Sequence, residues 1–432
     1  MNKYFVQTCL LSIVASIGVS DAQTTFPRLE GCYKTYGSTP IKRRYVSDIF
    51  TNIKMSTVEY GAAVGFTGQV QKLSLNVYEP SEPKDDIAKR PLIVLAHGGS
   101  FVRGNKEELD ELCIAYTRKG YVCASIDYRL LPLTGAAPTP QQLTAVALFA
   151  MHDLKAAIRF FRKSAAGTNP YKINPDFIVT GGISAGSIAA LLTTYLDAGD
   201  KMPVGLQAVL AQVGGLEGNS GNAGYSSKVK AVINFSGSLP TPEWIGIHDV
   251  PLASFHGTKD EVVPYECGMI GGVPSCGSRA LSRWATRQGT RNWLVPVKGA
   301  NHEELYLLPK YRGILGGFVD GSAIFIQSVM CPYGSPHAPD KNASLAEAME
   351  PIRVYPNPST DQIMVEMDAN LADMPYSVHV FDVMGKQLRT FRNDNDAQIV
   401  LNRNDFGAGM FFVQVRFDND ALPMKTQKVI FE

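Results

Sequence analysis

The chain has 432 residues, with 41 Lys and Arg against 40 Asp and Glu, for a formal net charge of +1. That balance offers no electrostatic footprint for nucleic acid or an anionic membrane surface. The length accommodates a full α/β domain and one small module. In chain order, residues 1–22 read as a secretory signal. Lys3 supplies a positive start, Cys9 to Val19 a short apolar core, and Ser20-Asp21-Ala22 small residues before Gln23. No later segment reads as long and apolar enough to cross a bilayer. Lys42-Arg43-Arg44 reads as a solvated basic cluster.

Pro91 to Ala96 is a run of the kind found in strands buried on both faces, and it ends in His97-Gly98-Gly99-Ser100-Phe101. Phe177 to Thr180 is a second such run. It leads through Gly181 into Gly182-Ile183-Ser184-Ala185-Gly186 and then into the apolar stretch Ile188 to Leu192. Strand, sharp turn and helix form the context that makes G-x-S-x-G a nucleophile elbow, with Ser184 presented at the end of a strand. Gly214 to Gly224 reads as a flexible loop that borders a pocket, followed by the strand Lys230 to Phe235. Leu252 to Gly257 is the next strand, running into a loop with Asp260, followed by Glu261-Val262-Val263-Pro264. Trp293 to Val297 is the last apolar run before Gly299-Ala300-Asn301-His302.

A serine hydroxyl becomes nucleophilic when a base takes its proton, and an imidazole titrating near neutrality can take and return it. The order Ser184, Asp260, His302 is that of the α/β-hydrolases, with Glu261 as the fallback acid. His97-Gly98-Gly99-Ser100 resembles the H-G-G-G oxyanion loop of esterases and lipases, with Ser100 in place of the third glycine. A backbone N–H needs no particular side chain, so Gly99 and Ser100, joined by Ala185, are the expected donors unless position 100 requires a positive φ. Gly98 permits the tight loop, and His97 is expected to hold it together. His256 is the nearest rival base, expected to be buried or wrongly placed. The other histidines, His152, His248, His337 and His379, show no metal-ligand spacing and read as structural or solvent-facing. No metal or cofactor is called for.

From about Lys72 to Met330 the chain resembles the esterase/lipase branch of the α/β-hydrolases, most closely the carboxylesterase-type and bacterial feruloyl/acetyl-esterase-like groups. Leu75 to Pro80, Ala124 to Leu130, Asp153 to Arg159 and Asn174 to Asp176 carry the resemblance alongside the motifs above. It implies a mostly parallel twisted sheet with helices on both faces. Asp127 and Arg129 read as structural ion-pairing residues. Besides Cys9, six cysteines remain: Cys32, Cys113, Cys123, Cys267, Cys276 and Cys331. An even number in an exported chain suggests disulfides. Cys267–Cys276 ranks first, bracketing a Gly/Pro-rich loop, then Cys113–Cys123, then Cys32–Cys331.

Composition changes after Cys331. Residues 331–350 form a linker, and 351–432 hold a series of short alternating strands that begins at Arg353 to Ser359 and continues with Gln362–Met367, Tyr376–Val383, Lys386–Phe391, Met410–Phe417 and Thr426–Phe431. These read as a small all-β sandwich. Val354-Tyr355-Pro356-Asn357-Pro358-Ser359 and Val380-Phe381-Asp382-Val383-Met384-Gly385-Lys386 resemble the C-terminal sorting domain of the type IX secretion pathway. The domains are therefore expected to be signal 1–22, catalytic 23–330, linker 331–350 and sorting 351–432. The protein would be secreted or held at the cell surface, with the secretion machinery as a partner. The expected reaction is hydrolysis of short-chain or carbohydrate-linked acetyl or feruloyl esters. No inserted lid is apparent. A prolyl-oligopeptidase-type serine peptidase and an inactive surface-binding protein are the alternatives.

Overall fold

The structure is a computed structural model that describes residues 35–36, 42–81, 85, 87–247, 249–331, 352–367, 376–383, 386–392, 398–417 and 425–432. The signal, most of the linker, Cys32, His248, His337 and the turn Met384-Gly385 lie outside the described residues. The first domain begins with a two-residue ribbon, β1 (Thr35–Tyr36) with β2 (Lys42–Arg43). It continues with β3 (Ile53–Val64), β4 (Val70–Pro80), β5 (Arg90–Ala96), α1 (Asp110–Arg118), β6 (Val122–Ile126), α2 (Pro140–Ala166) and β7 (Ile173–Ile183). Next come α3 (Ala185–Tyr195), α4 (Val204–Val213), β8 (Ala231–Phe235), β9 (Ser238–Leu239) and β10 (Leu252–Gly257). The hairpin β11 (Cys267–Ile270) and β12 (Val273–Gly277) precedes α5 (Ser278–Arg287), β13 (Asn292–Val297), α6 (Glu304–Leu307) and α7 (Arg312–Met330).

The central sheet runs β13-β10-β8-β7-β5-β6-β4-β3. β4 is antiparallel to both its neighbours, and every other pairing is parallel. Every residue of β5 is buried. Its alternating side chains feed two cores. Leu92, Val94 and Ala96 meet Leu154 of α2 and Ala189 of α3, whereas Ile93 and Leu95 join Tyr116 of α1 and Phe318 of α7. A strand covered by helices on both faces has no solvated side and reads as a continuous apolar run. This is the α/β-hydrolase architecture expected above. Its parallel strands send the loops after β5, β7, β10 and β13 to one end of the sheet.

The second domain has β14 (Ile352–Tyr355), β15 (Gln362–Met367), β16 (Tyr376–Phe381), β17 (Gln387–Arg392), β18 (Gln398–Asn402), α8 (Arg403–Phe406), β19 (Gly409–Phe417) and β20 (Lys425–Phe431). Its sheets run β14-β15-β18 and β17-β16-β19-β20, all antiparallel. Ile363, Val365 and Leu401 from the first share a core with Val378, Val413 and Val429 from the second. β18 is the strand the sequence reading left out.

Four expectations are corrected. Arg44 is buried rather than solvated: it donates to Asp85 at 2.5 Å, and its guanidinium lies 4.7 Å from the Phe50 ring centre. Cys113 and Cys123 are both free thiols in the core with Tyr116 and Tyr121. They fill space there as small apolar groups, and burial pushes the Cys113 thiol up, away from the thiolate that oxidation needs. The loop Gly214 to Gly224 does not line the cavity beside Ser184. Arg159 donates to Glu217 and Gly221 carbonyls, and Arg129 donates to Ser220, which clamps the loop to α2 and the β6 end. Finally, Pro309–Met330 does reach the length and apolarity of a membrane span, with a mean hydropathy of 1.4. Phe318, Phe325, Ile326 and Met330 spend that apolarity on the sheet.

Of the disulfides, Cys267–Cys276 is present, and Cys331 is disulfide-bonded. The proposed partner of Cys331, Cys32, lies outside the described residues.

Arg129 and Asp153 form a buried pair at 2.7 Å, joining the loop after β6 to α2. Asp153→Ala leaves the guanidinium buried without its carboxylate, at an expected cost of about 3–5 kcal/mol. Urea unfolding measures this, and Arg129→Met with Asp153→Leu is expected to recover most of the loss. Equal destabilisation by both variants would contradict it.

Candidate active site

Ser184 sits between β7 and α3 with φ 53° and ψ −117°, in the left-handed half of backbone space where a side chain is strained. Its neighbours explain how that turn is possible. A Cβ at Gly186 would lie 2.1 Å from the Ala96 carbonyl oxygen, and one at Gly182 would lie 2.5 Å from it. Only glycine lets β7, α3 and the end of β5 pass this closely. The Ser184 N–H donates to the Phe235 carbonyl at 2.8 Å, which ties the turn to β8.

The loops after β10 and β13 bring Asp260 and His302 to the same place. His302 Nε2 lies 2.7 Å from Ser184 Oγ, and His302 Nδ1 lies 2.6 Å from Asp260 Oδ2. All three residues are buried. Asp260 Oδ1 accepts from the Val262 and Val263 N–H groups at 2.9 and 2.8 Å. Burial opposes ionisation of Asp260, but hydrogen bonds from His256, His302 and the Val263 N–H outweigh it. The carboxyl is held well below the usual carboxylate range. An ionised Asp260 can only accept, so Nδ1 of His302 carries the proton and Nε2 is free to accept from Ser184 Oγ–H.

Glu261, the fallback acid, is exposed and turned away. It pairs with Asn301, whose Oδ1 accepts from the Glu261 and His302 N–H groups.

His256 has a part that sequence reasoning missed. It is buried, and its Nε2 lies 3.2 Å from Asp260 Oδ2 and 3.1 Å from the Val263 carbonyl. Both partners are acceptors, so Nε2 carries the proton, and Nδ1 accepts from Ser278 Oγ at 2.7 Å. Ser278 in turn accepts from Asn234 Nδ2 at 3.0 Å, and Asn234 Oδ1 accepts from Ser187 Oγ at 2.7 Å. A filled chain of hydrogen bonds thus runs from the first turn of α3, beneath Ser184, to the acid. The available signal was the four-residue spacing of His256 and Asp260. Tyr306, which donates to Ser236 Oγ at 2.8 Å beside His302, carried no local signal.

In the loop after β5, Gly99, Ser100 and Phe101 have φ of 99°, 55° and 63°. Position 100 therefore does use the left-handed region, and Ser100 occupies it at a strain cost of about 1 kcal/mol relative to glycine. A Cβ at Gly98 would lie 3.6 Å from the Ser184 Cβ. Among the described residues, the N–H groups of Gly99, Ser100 and Ala185 have no hydrogen-bond partner. Ser100 and Ala185 line the same cavity as Ser184. His97 is stacked on Tyr128 with ring centres 4.2 Å apart, and Tyr128 donates to the His97 carbonyl at 2.8 Å. These contacts brace the loop.

Asp127 and Arg129 lie in ion pairs with Lys106 and Asp153. His152 is buried against the Gly215 carbonyl, and burial lowers it to about 4. No cluster of three or more His, Cys, Asp or Glu that could hold a metal is found among the described residues.

The folded-state pKa of Asp260 lies below its unfolded value. Its stabilisation is therefore complete above the unfolded pKa, about 4, and is lost as pH falls toward the folded one. The stability gap between wild type and Asp260→Asn in urea unfolding is expected to be widest near neutral pH and to close below about pH 4. A gap that ignores pH would contradict the assignment of Asp260 as a buried anion.

Residues 75–244 match the BD-FAE family, and residues 353–432 match the secretion system C-terminal sorting domain. Among curated proteins, the non-reducing polyketide synthase nvfA of Aspergillus novofumigatus is 28% identical over 144 residues. That match covers 32% of this chain and 6% of the synthase, so the chain spans only a small part of that relative's length. Among solved structures, the apo form of Thermogutta terrifontis esterase 2 superposes with a TM-score of 0.47 at 20% identity, covering 65% of this chain and 96% of that one. The propionate-bound structure of the esterase from the same organism gives 0.46 at 20% identity, with the same coverage. Residues 75–244 thus carry the BD-FAE match on the fold described above, and residues 353–432 carry a match to a sorting domain of secretion systems.

Proposed function

We propose that this protein is an exported serine carboxylic-ester hydrolase that works through an acyl-enzyme. The observation that carries this reading is the continuous hydrogen-bonded line from Ser184 Oγ through His302 to Asp260, at 2.7 and 2.6 Å. Ser184 Oγ attacks the ester carbonyl carbon as its proton passes to His302 Nε2. Asp260 stabilises the imidazolium and keeps the ring in its reactive tautomer. The carbonyl oxygen becomes an oxyanion facing the N–H groups of Gly99, Ser100 and Ala185, with Gly98 shaping the loop. Collapse of the tetrahedral adduct breaks the C–O bond, and the leaving alkoxide takes the proton from Nε2. Water then gives its proton to the same nitrogen, attacks the acyl carbon, and releases the acid and free Ser184.

The BD-FAE match supports an ester substrate. The sequence resemblance supports acetyl or feruloyl esters, including those linked to carbohydrate. The signal 1–22 and the sorting domain 351–432 flank the catalytic domain 23–330 and linker 331–350, and the machinery that reads the sorting domain is the protein partner.

Ser184→Ala is expected to lose at least about 10⁴-fold in hydrolysis of p-nitrophenyl esters and all labelling by a fluorophosphonate probe. Labelling of Ser184 with peptide cleavage but no ester turnover would assign the site to a peptidase. No labelling of a folded wild type would assign it to a binding protein. Ser100→Gly keeps the backbone donor and relieves the left-handed φ. It is expected to hold kcat/KM within about threefold of wild type, whereas losing an oxyanion donor costs about a hundredfold or more. A loss of that size in Ser100→Gly would move the role to the hydroxyl.

A further inference from the structure

Ser184 opens onto a cavity of about 530 Å³ whose walls come from several separate parts of the chain. Leu143 and Ala147 of α2, Ile188 of α3, Leu206 and Val209 of α4 and Ile270 of the hairpin make it apolar along its length. Among the described residues that line it, Lys201 is the only charged one. The hairpin is braced by Cys267–Cys276, and its tip meets α2: a Cβ at Gly271 would lie 2.4 Å from Leu143 Cδ1, and one at Gly272 would lie 2.9 Å from Pro140 Cγ. At its base, Gly277 lies so close to the Pro264 carbonyl that a Cβ would come within 1.8 Å of it. The wall is thus tied both to the acid loop and to the start of α2.

The position of the cavity says which half of an ester it receives. The leaving alcohol takes its proton from His302 Nε2 and so departs on that side of the reacting carbon. Ser100 and Ala185, two of the three proposed oxyanion donors, line the cavity together with Val262 and Val263 of the acid loop, while Gly99, His302, Asp260 and Tyr306 do not. The cavity therefore extends from the oxyanion side, where the acyl group stays attached to Ser184 until water arrives.

We infer that this cavity is an acyl site for aliphatic chains of several carbons, in place of the acetyl group that the sequence resemblance alone supports. The inference rests on the esterase reading above. It follows from size and lining: cavities of roughly 300–1,000 Å³ hold whole small molecules, and an acetyl methyl leaves nearly all of this one unfilled. A carbohydrate would bury hydroxyls against walls with few polar partners, a cost an alkyl chain does not incur. Each methylene that leaves water for such a wall is favoured by about fourfold.

The test uses the full chain and p-nitrophenyl esters from acetate to laurate, beside alkyl acetates of rising alcohol length. The expected result is a kcat/KM that climbs by about fourfold per methylene over the first several carbons of the acyl series and stays flat in the alcohol series. Val209→Trp or Leu206→Trp, each placing an indole in the cavity, is expected to lower the octanoate-to-acetate ratio at least tenfold. A wild-type profile that peaks at acetate, or that climbs with the alcohol instead, overturns the inference while leaving the serine hydrolase intact. Absence of all ester turnover together with absence of fluorophosphonate labelling overturns the hydrolase reading itself.

Discussion

A carboxylate taken out of water must have its lone pairs satisfied, and the active end of this domain is arranged around that requirement at Asp260. Two backbone N–H groups of its own loop hold one oxygen, and two imidazoles hold the other. Each donor fixes something further. The loop amides set the path of Val262 and Val263, which line the cavity. His302 is fixed in the tautomer that can accept from Ser184. His256 relays the constraint through Ser278 and Asn234 to Ser187, one turn past the nucleophile. The acid and the elbow belong to loops more than seventy residues apart, yet one buried network sets their spacing.

The elbow adds a steric constraint to this polar one. Gly182 and Gly186 let two strands and a helix approach within carbonyl-contact distance. That proximity brings the loop after β5 beside Ser184, so Ser100, Ala185 and Ser184 line one cavity. Helices on both faces of the sheet keep these backbones from separating. Packing at α2, α3 and α7 thus reaches the site through the positions of strand ends rather than through side chains.

What could be read from residues alone follows the same division. Strands buried on both faces announce themselves as apolar runs, so β5, β7, β8 and β10 were legible, and the edge strand β13 was legible as a shorter apolar run, and with them the loops at their ends. The elbow was legible because close backbone approach requires glycine at fixed offsets. In the second domain, period-2 alternation marked β15, β16, β17, β19 and β20. It failed for β18, five residues beside the short helix α8, where Ile399 and Leu401 alone point inward. The cavity was not legible, because its walls are single apolar residues from α2, α3, α4 and the hairpin, and any one of them reads as ordinary core. Arg44 was misread because charge predicts exposure until a partner such as Asp85 comes from forty residues away. Cys113 and Cys123 were misread because nearness along the chain says nothing of whether two thiols are bonded.

The brace across the hairpin also has a consequence in time. Cysteines in a reducing cytoplasm remain thiols, and a disulfide forms once a chain reaches an oxidising compartment. On the export proposed above, the wall formed by Ile270 to Ser275 is first held without that bond, by hairpin hydrogen bonds, the pairing of β12 with β9, the Ser275–Ser238 hydrogen bond and contacts with Leu143 and Pro140. After export, the covalent link joins the hairpin's two strands near its base. The wall of the cavity beside Ser184 thus gains its covalent brace only in the oxidising compartment that the proposed export reaches.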